Sequence, residues 1–375
     1  MNVEIENREL GHKPGIGKSE IIMSGIRASG EPHLGHLAGA WKQWLSFQEQ
    51  KAGLARYFMI ADAQALTDKG ATEKGRREVV NSVRQLVCSM LAVGFDPERS
   101  VLVLQSEIPE LYELTILLAM LTPWPSIERN PSLREDMKAV DLRKVSVGTL
   151  LYPVSQAADI LGCKATLVPV GKDQLPVIYF VRDLIEKLNK TCQDTARVGM
   201  PVPRPLVGMI PSLVGIDGKG KAGKTEGNAI FLTDSAEELS RKIKAMPTCP
   251  LKVKKGDIVP GLILDEEVNQ VYLPTDKGPF IHVPLTYMLA FADSQEAKQL
   301  FYDYQSGKIG DVEIKRRLLE VLTGILSPIQ QRLKEINVGR ALEIFIESSR
   351  EYRKVAVVTL DEVKGNLGFG RKAYF

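Results

Sequence analysis

Cysteine is scarce in this chain of 375 residues. There are four, Cys88, Cys163, Cys192 and Cys249, all far apart, and no Cys-x-x-Cys pair. That distribution argues against a zinc site, an iron–sulfur cluster or a disulfide framework, and it suits a reducing compartment. Long apolar runs are missing too. None approaches the roughly 18 residues of a membrane span, and residues 1–18 are polar, without the apolar core of a secretory signal. The expectation is a cytoplasmic protein with no membrane partner, whose residues 1–20 form a flexible or loosely docked extension. A strong charge of one sign is absent as well: 49 Lys and Arg against 46 Asp and Glu leave +3. Such a balance permits a nucleic-acid partner without arguing for one, because a local patch matters more than the total. The rest, 44% hydrophobic and 25% charged residues, is ordinary globular composition. The length suggests about two domains.

What the chain does have is an organising stretch, Ser24 to Gly39. It follows a short apolar strand, Ile21-Ile22-Met23, and precedes a helical run, Trp41 to Phe47. Strand, glycine-broken turn and helix make a phosphate-binding geometry: glycine lets backbone approach a ligand, and a helix N-terminus offers unpaired N–H groups. Within it stands His33-Leu34-Gly35-His36. Two imidazoles flank a glycine, leaving room for a flat ligand over Gly35, and each ring can donate to phosphate oxygens without a metal. With a reference pKa of about 6.5, His33 can be a charged or a neutral donor near pH 7. The plainer reading is a helix-start turn with two polar caps. Pro32-His33-Leu34-Gly35-His36-Leu37 resembles the HIGH signature of class I aminoacyl-tRNA synthetases, which related nucleotidyltransferases also carry.

A second apolar strand, Arg56 to Asp62, ends at Asp62-Ala63-Gln64. Ligands of doubly wound sheets sit at the carboxyl ends of strands, so Asp62 and Gln64 are candidates for the site; helix capping and a solvent-facing amide are the equal alternatives. Helical spacing runs over 73–94, and Val101 to Leu104 is a third strand. Strand–helix–strand units specify a parallel sheet with right-handed crossovers. Residues 107–150 interrupt them with an apolar helix, Glu110 to Leu121, and scattered Arg129, Arg134, Lys138, Arg143 and Lys144 that read as a solvated face. In the synthetase family an insertion here commonly forms a subunit contact, so the resemblance implies a homodimer with the 110–121 helix at its interface.

Further on, Tyr152-Pro153-Val154-Ser155-Gln156-Ala157-Ala158-Asp159-Ile160 places Tyr152, Gln156 and Asp159 on one helix face. A carboxylate among alanines and isoleucine is costly to bury unpaired. It either caps or salt-bridges, or it waits for a ligand N–H, and the indole of tryptophan is a donor-only N–H. The segment closely resembles the tryptophan-recognising Y-P-x-x-x-A-A-D-I of tryptophanyl-tRNA synthetases, in the wording of their divergent second bacterial type. Next, the strand Ala165 to Val170 runs into Gly171-Lys172-Asp173-Gln174. There Gly171 lets ribose or phosphate press on backbone, Asp173 can accept from ribose hydroxyls, and Gln174 can face the amino acid.

The last chemical element is Gly218 to Ile230, with Lys219, Lys221 and Lys224 among glycines. It reads like a P-loop, but it follows Leu213 to Asp217 late in the domain and runs into an extended tail, so that reading fails. It resembles instead the KMSKS loop of class I synthetases, with Lys221, Lys224, Thr225 and Gly227-Asn228-Ala229-Ile230 matching and Ala222-Gly223 departing from the usual Met-Ser. A basic glycine-rich lid can follow charge moving onto pyrophosphate.

From Ser235 the chain reads as mainly helical. The expected architecture is α/β: a Rossmann-like nucleotide-binding domain of HUP type over 21–234, with a parallel sheet, and a helical anticodon-binding domain over 235–375. The resemblance implies ATP-dependent activation of L-tryptophan and transfer to tRNA(Trp). Mg²⁺ would ride on the triphosphate, with no protein metal site. It implies His33, His36, Lys221 and Lys224 as catalytic residues. ATP would be bound by Arg27, Ala28, Ser29, Gly35, His36, Gly171, Lys172, Asp173, Lys221, Lys224 and Thr225. Tryptophan would be bound by Tyr152, Gln156, Asp159, Gln174, Asp62 and Gln64. The alternatives are a non-catalytic tryptophan-binding paralogue, favoured only by Ala222-Gly223, and a nucleotidyltransferase that uses no tRNA.

Overall fold

The structure, a computed structural model, describes residues 20–50, 54–138, 145–191, 199–208, 212–223, 226–250 and 252–369. The expected extension 1–20 therefore lies outside the described residues, save Glu20. Two compact units divide the chain. Of the described residues, the first takes 20–30, 44–207 and 337–369, and the second takes 31–43 and 208–336. Residues 235–336 fall in the second unit and 337–369 in the first.

The first unit is built on five strands, β1 Ile21–Arg27, β2 Ala55–Ala61, β3 Val101–Leu104, β4 Leu167–Val170 and β5 Arg204–Val207. Their order is β3-β2-β1-β4-β5, and every pairing is parallel, from Ile21↔Ala55 to Arg27↔Ala61 in the central pair. A parallel sheet is covered on both faces, so its strands are predominantly apolar; Phe58, Met59 and Ile60 are all buried. The chain goes from β1 outward to β2 and β3, then returns to the other side at β4. That reversal places a switch point between the carboxyl ends of β1 and β4, where open α/β sheets bind ligands. The expected α/β fold with its parallel sheet is what forms. The fifth strand, Arg204-Pro205-Leu206-Val207, had no sequence signal, because it is short, carries a proline and sits on an edge.

Helices Glu73–Val93, Pro109–Met120, Val147–Gly162 and Leu175–Thr191 cover the sheet. The long helix Val338–Asn366 also belongs to this unit and packs along β3. An edge strand leaves N–H groups unpaired, and here two serines take them: Leu102 N–H donates to Ser348 Oγ at 2.8 Å and Leu104 N–H to Ser349 Oγ at 2.9 Å.

The second unit contains helices Ala236–Ala245, Val283–Phe291, Ser294–Gln305 and Asp311–Glu335. It also contains an antiparallel sheet of β6 Ile263–Asp265, β7 Gln270–Leu273 and β8 Phe280–Ile281, an addition to the mainly helical content expected. Strands of three, four and two residues are too short to show alternation. Val271, Leu285, Phe301, Tyr304 and Ile314 form its core. A buried ion pair, Lys242–Asp234 at 2.7 Å, holds the start of the helical part, and the same ammonium donates to the Ala229 carbonyl.

Candidate active site

In the second unit the two sequence motifs come together. His33 is the N-cap of a helix beginning at Leu34. Leu34 N–H donates to the Ile230 carbonyl at 2.8 Å and Leu232 N–H to the Pro32 carbonyl at 3.1 Å. The tail of the lysine loop thus pairs with the histidine turn, and Phe231 bridges to His33. The helix continues through a wide π turn, Leu37–Trp41, a rare form that recurs at functional sites.

Both imidazoles are acceptors at Nδ1. Gly35 N–H donates to His33 Nδ1 at 3.1 Å, and His33 N–H to His36 Nδ1 at 3.0 Å. Each neutral ring must then carry its proton on Nε2. Burial, with the charge of Lys221, lowers the His33 pKa to about 4. Burial first, then the His33 ring and Lys221, lowers His36 to about 3. The option of a charged His33 near pH 7 is therefore corrected: both rings are neutral Nε2–H donors. The ring centroids lie 3.9 Å apart. A Cβ on Gly35 would fall 2.7 Å from His33 Cε1, so the glycine is needed for the imidazole itself to close down.

Lys221 is carried by a small hairpin. Val214 bridges to Lys221, Ala222 N–H donates to the Leu213 carbonyl at 2.8 Å, and the buried Tyr287 hydroxyl donates to the Val214 carbonyl. Asn228 closes the loop: Gly223 N–H donates to its Oδ1 at 2.9 Å, and its Nδ2 donates to Asp217 and to the Lys219 carbonyl. Ala222 is buried, so this half of the loop is anchored despite the missing methionine. Lys224 and Thr225 lie outside the described residues.

In the first unit, Arg27, Ala28 and Ser29 leave the carboxyl end of β1, while Gly171, Lys172, Asp173 and Gln174 leave that of β4, its parallel neighbour. Ala28 is fully buried and offers backbone only. Arg27 makes one loose contact, 3.8 Å to Asp68. Lys172, Asp173 and Gln174 form a single 3-10 turn in which the Gln174 amide donates to Asp173 at 3.2 Å.

Tyr152, Gln156 and Asp159 all stand on the helix Val147–Gly162. Asp159 is 4% exposed and forms no ion pair among the described residues. Gln105, 1% exposed, donates from Nε2 to both carboxylate oxygens at 2.9 Å. Desolvation raises the Asp159 pKa to about 7; the Gln105 bonds pull it down and Asp62 pushes it up. Gln64 contributes its N–H to Gln105 Oε1 at 3.0 Å, which fixes that amide's orientation. Asp62 is taken up locally, accepting from Ser106 Oγ at 2.6 Å and from the Ser106 and Ala63 N–H groups. These bonds hold the turn after β2. Gln156 Oε1 is buried with no hydrogen-bond partner, an acceptor that a ligand ammonium or N–H would satisfy.

The family of "tRNA synthetases class I (W and Y)" matches residues 17–327. The chain belongs to that family. It is 37% identical to the tryptophan–tRNA ligase of Clostridium longisporum over 93% of this chain and 97% of that one. It is 35% identical to that of Streptococcus pyogenes over 93% and 98%. Among solved structures, it resembles tryptophanyl-tRNA synthetase from Campylobacter jejuni complexed with ADP and tryptophan, with a TM-score of 0.72, 26% identity, and 93% and 100% of the two chains covered. The synthetase from Mycoplasma pneumoniae shares the fold at a TM-score of 0.77 and 20% identity. The protein is thus a ligase, an ATP-using class I aminoacyl-tRNA synthetase.

Two residues that sequence reading passed over hold Asp159 in the structure of this synthetase. Gln105 opens the 3-10 turn that follows β3. Tyr352 donates to the Asp159 carbonyl from the far end of the chain. No local signal marks either, because their roles come from 54 and 193 residues away. Arg316 and Arg317 are tied to Glu320 and Glu296, which suits a solvated helix face. No helix among the described residues is long and apolar enough to cross a membrane.

Proposed function

We propose that this synthetase activates L-tryptophan with ATP to tryptophanyl-adenylate and pyrophosphate, then transfers the acyl group to tRNA(Trp). The observation that carries the reading is Asp159. An ionised carboxylate has about four lone-pair sites. Gln105 uses one on each oxygen, so acceptor capacity remains for an indole N–H. Tyr152 walls the pocket, and Gln156 and Gln174 take the amino acid's polar end.

In the reaction a tryptophan carboxylate oxygen bonds to the α-phosphorus as the bond to the bridging oxygen breaks, and the electron pair leaves with pyrophosphate. Little proton chemistry is needed, so the protein contributes positioning and charge stabilisation. His33 and His36 are fitted to this, because neutral Nε2–H donors hold phosphate oxygens without exchanging protons. Lys221 and Lys224 follow the charge onto pyrophosphate, and Thr225 of the same loop is assigned to ATP with them. Arg27, Ser29 and the Gly171–Asp173 turn hold the nucleotide. Among the described residues no group of three or more His, Cys, Asp or Glu is placed to hold a metal. Mg²⁺, which neutralises phosphate charge, is assigned to the triphosphate.

The basic and helical residues of 235–375 are assigned to the anticodon arm of the tRNA. A homodimer is assigned to the outer face of Pro109–Met120, where Tyr112, Ile116 and Met120 stay exposed. The buried Ala222 gives no support to a dead loop. Tryptophan-dependent ATP–pyrophosphate exchange by the native protein, followed by charging of tRNA(Trp), tests the proposal. Absence of exchange at saturating tryptophan and ATP would overturn it.

A further inference from the structure

The helix that carries Asp159 ends at Gly162, and its last carbonyls have no helical partner. The Ile160 carbonyl accepts from Ala165 N–H, and the Leu161 carbonyl from Lys164 N–H. The Asp159 carbonyl is met by the Tyr352 hydroxyl, which reaches it from the helix Val338–Asn366. Tyr352 is fully buried and its ring stands edge-on to Tyr57 at 5.3 Å. A Cβ on Gly162 would lie 2.7 Å from the Tyr352 oxygen and 2.7 Å from Leu111. That glycine is what lets the hydroxyl come in. One turn earlier on the same helix, Ser349 Oγ accepts from Leu104 N–H, next to Gln105. The same helix therefore fixes both partners of the buried pair: Asp159 through its own peptide, and Gln105 through the end of β3.

We propose that Tyr352 is a positioning residue for tryptophan selection, holding the Asp159 peptide so that its carboxylate meets the indole, and that Ser349 assists it through Gln105. The inference rests on the reading of Asp159 as the selector. It makes the C-terminal helix part of the amino-acid site.

The test is tryptophan-dependent pyrophosphate exchange by the full chain, in a double-mutant cycle of Tyr352→Phe and Asp159→Asn. Removing one neutral hydrogen bond should raise KM for tryptophan roughly three- to tenfold. The values of kcat and KM for ATP should stay within about twofold, and the preference for tryptophan over tyrosine should fall in parallel. In the Asp159→Asn background, Tyr352→Phe should add nothing further, because residues that act through one another are non-additive. A merely structural tyrosine would lower the folded fraction, hence kcat, and leave KM alone. Should Tyr352→Phe fail to fold, Gly162→Ala, which crowds the same hydroxyl, must produce the same KM effect. An unchanged KM in the tyrosine variant, with a raised KM in Asp159→Asn, overturns the role of Tyr352 and leaves the selector standing. An unchanged KM in Asp159→Asn removes the selector, and the positioning role with it.

Discussion

Asp159→Asn should make the protein more stable while impairing tryptophan use, and the gain should grow with pH. The Asp159 carboxyl is raised from 3.8 to about 7 by burial, against the opposing pull of Gln105 and with a push from Asp62. An acid with a raised pKa in the folded state contributes its full stability below 3.8. It loses that contribution as pH climbs through about 7, since the unfolded chain ionises first. Each pH unit in that window is worth about 1.4 kcal/mol, so the loss approaches about 4 kcal/mol by pH 8. Asparagine does not titrate, and it keeps one of the two Gln105 bonds at a cost of about 1 kcal/mol. The Gln64 N–H locks the Gln105 amide, so that amide cannot flip to recover the second bond. Between pH 5 and pH 8 the advantage of the variant should widen by about 3 kcal/mol, roughly two units of pH at that exchange rate. Thermal or urea denaturation of both proteins at pH 5 and pH 8, without tryptophan, reads this directly. A difference in stability that does not change with pH would refute the buried-charge argument. Such a trade of stability for function is common at binding sites.

The neutral histidines make exchange insensitive to pH between 6 and 8 on their account; an acid limb near 6.5 that vanishes in His33→Gln would contradict their pKa values of about 4 and about 3. Gly35→Ala puts a methyl 2.7 Å from the His33 ring, and single-turnover kinetics should show adenylate formation slowed by about tenfold or more. Lys242→Met leaves Asp234 buried without its cation, and equilibrium denaturation should register a loss of about 3–5 kcal/mol. Ala222→Met, which would restore the usual loop residue, should lower exchange rather than raise it, because overpacking a filled position costs about 1–3 kcal/mol.

The fold was legible where local pattern and tertiary role coincide. β1, β2 and the helices Glu73–Val93 and Asp311–Glu335 each carry their own periodicity, and alternation of strand and helix fixes a parallel sheet. Legibility failed where a segment depends on its neighbours. β5 exists because β4 offers it an edge, and β6 to β8 are too short for any period to show. The final helix has an ordinary amphipathic pattern, which says that one face is buried but not against what. Only the structure shows that the face covers β3 and that Ser348 and Ser349 complete its hydrogen bonding.

The site divides along the same line. His33, Gly35, His36 and Asp159 could be named because chemistry demands those residue types at fixed spacing. Their protonation could not be named. The reference pKa left His33 open to either state, and it is the N-cap geometry, with each Nδ1 accepting a backbone N–H, that decides the tautomer and puts the proton on Nε2. The lysine loop shows the converse. From sequence, Ala222 in place of methionine suggests a loosened lid. In the structure the small side chain is buried, its N–H is bonded to Leu213, and Asn228 ties both shoulders of the turn. The loop is anchored here by backbone and one amide. Gly215 supports the same arrangement, since a Cβ there would fall 2.1 Å from Asn228 Nδ2. A loop held in this way keeps Lys221 in place without methionine. A substitution that looks like loss of function in the sequence is therefore compatible with a working charge at the pyrophosphate.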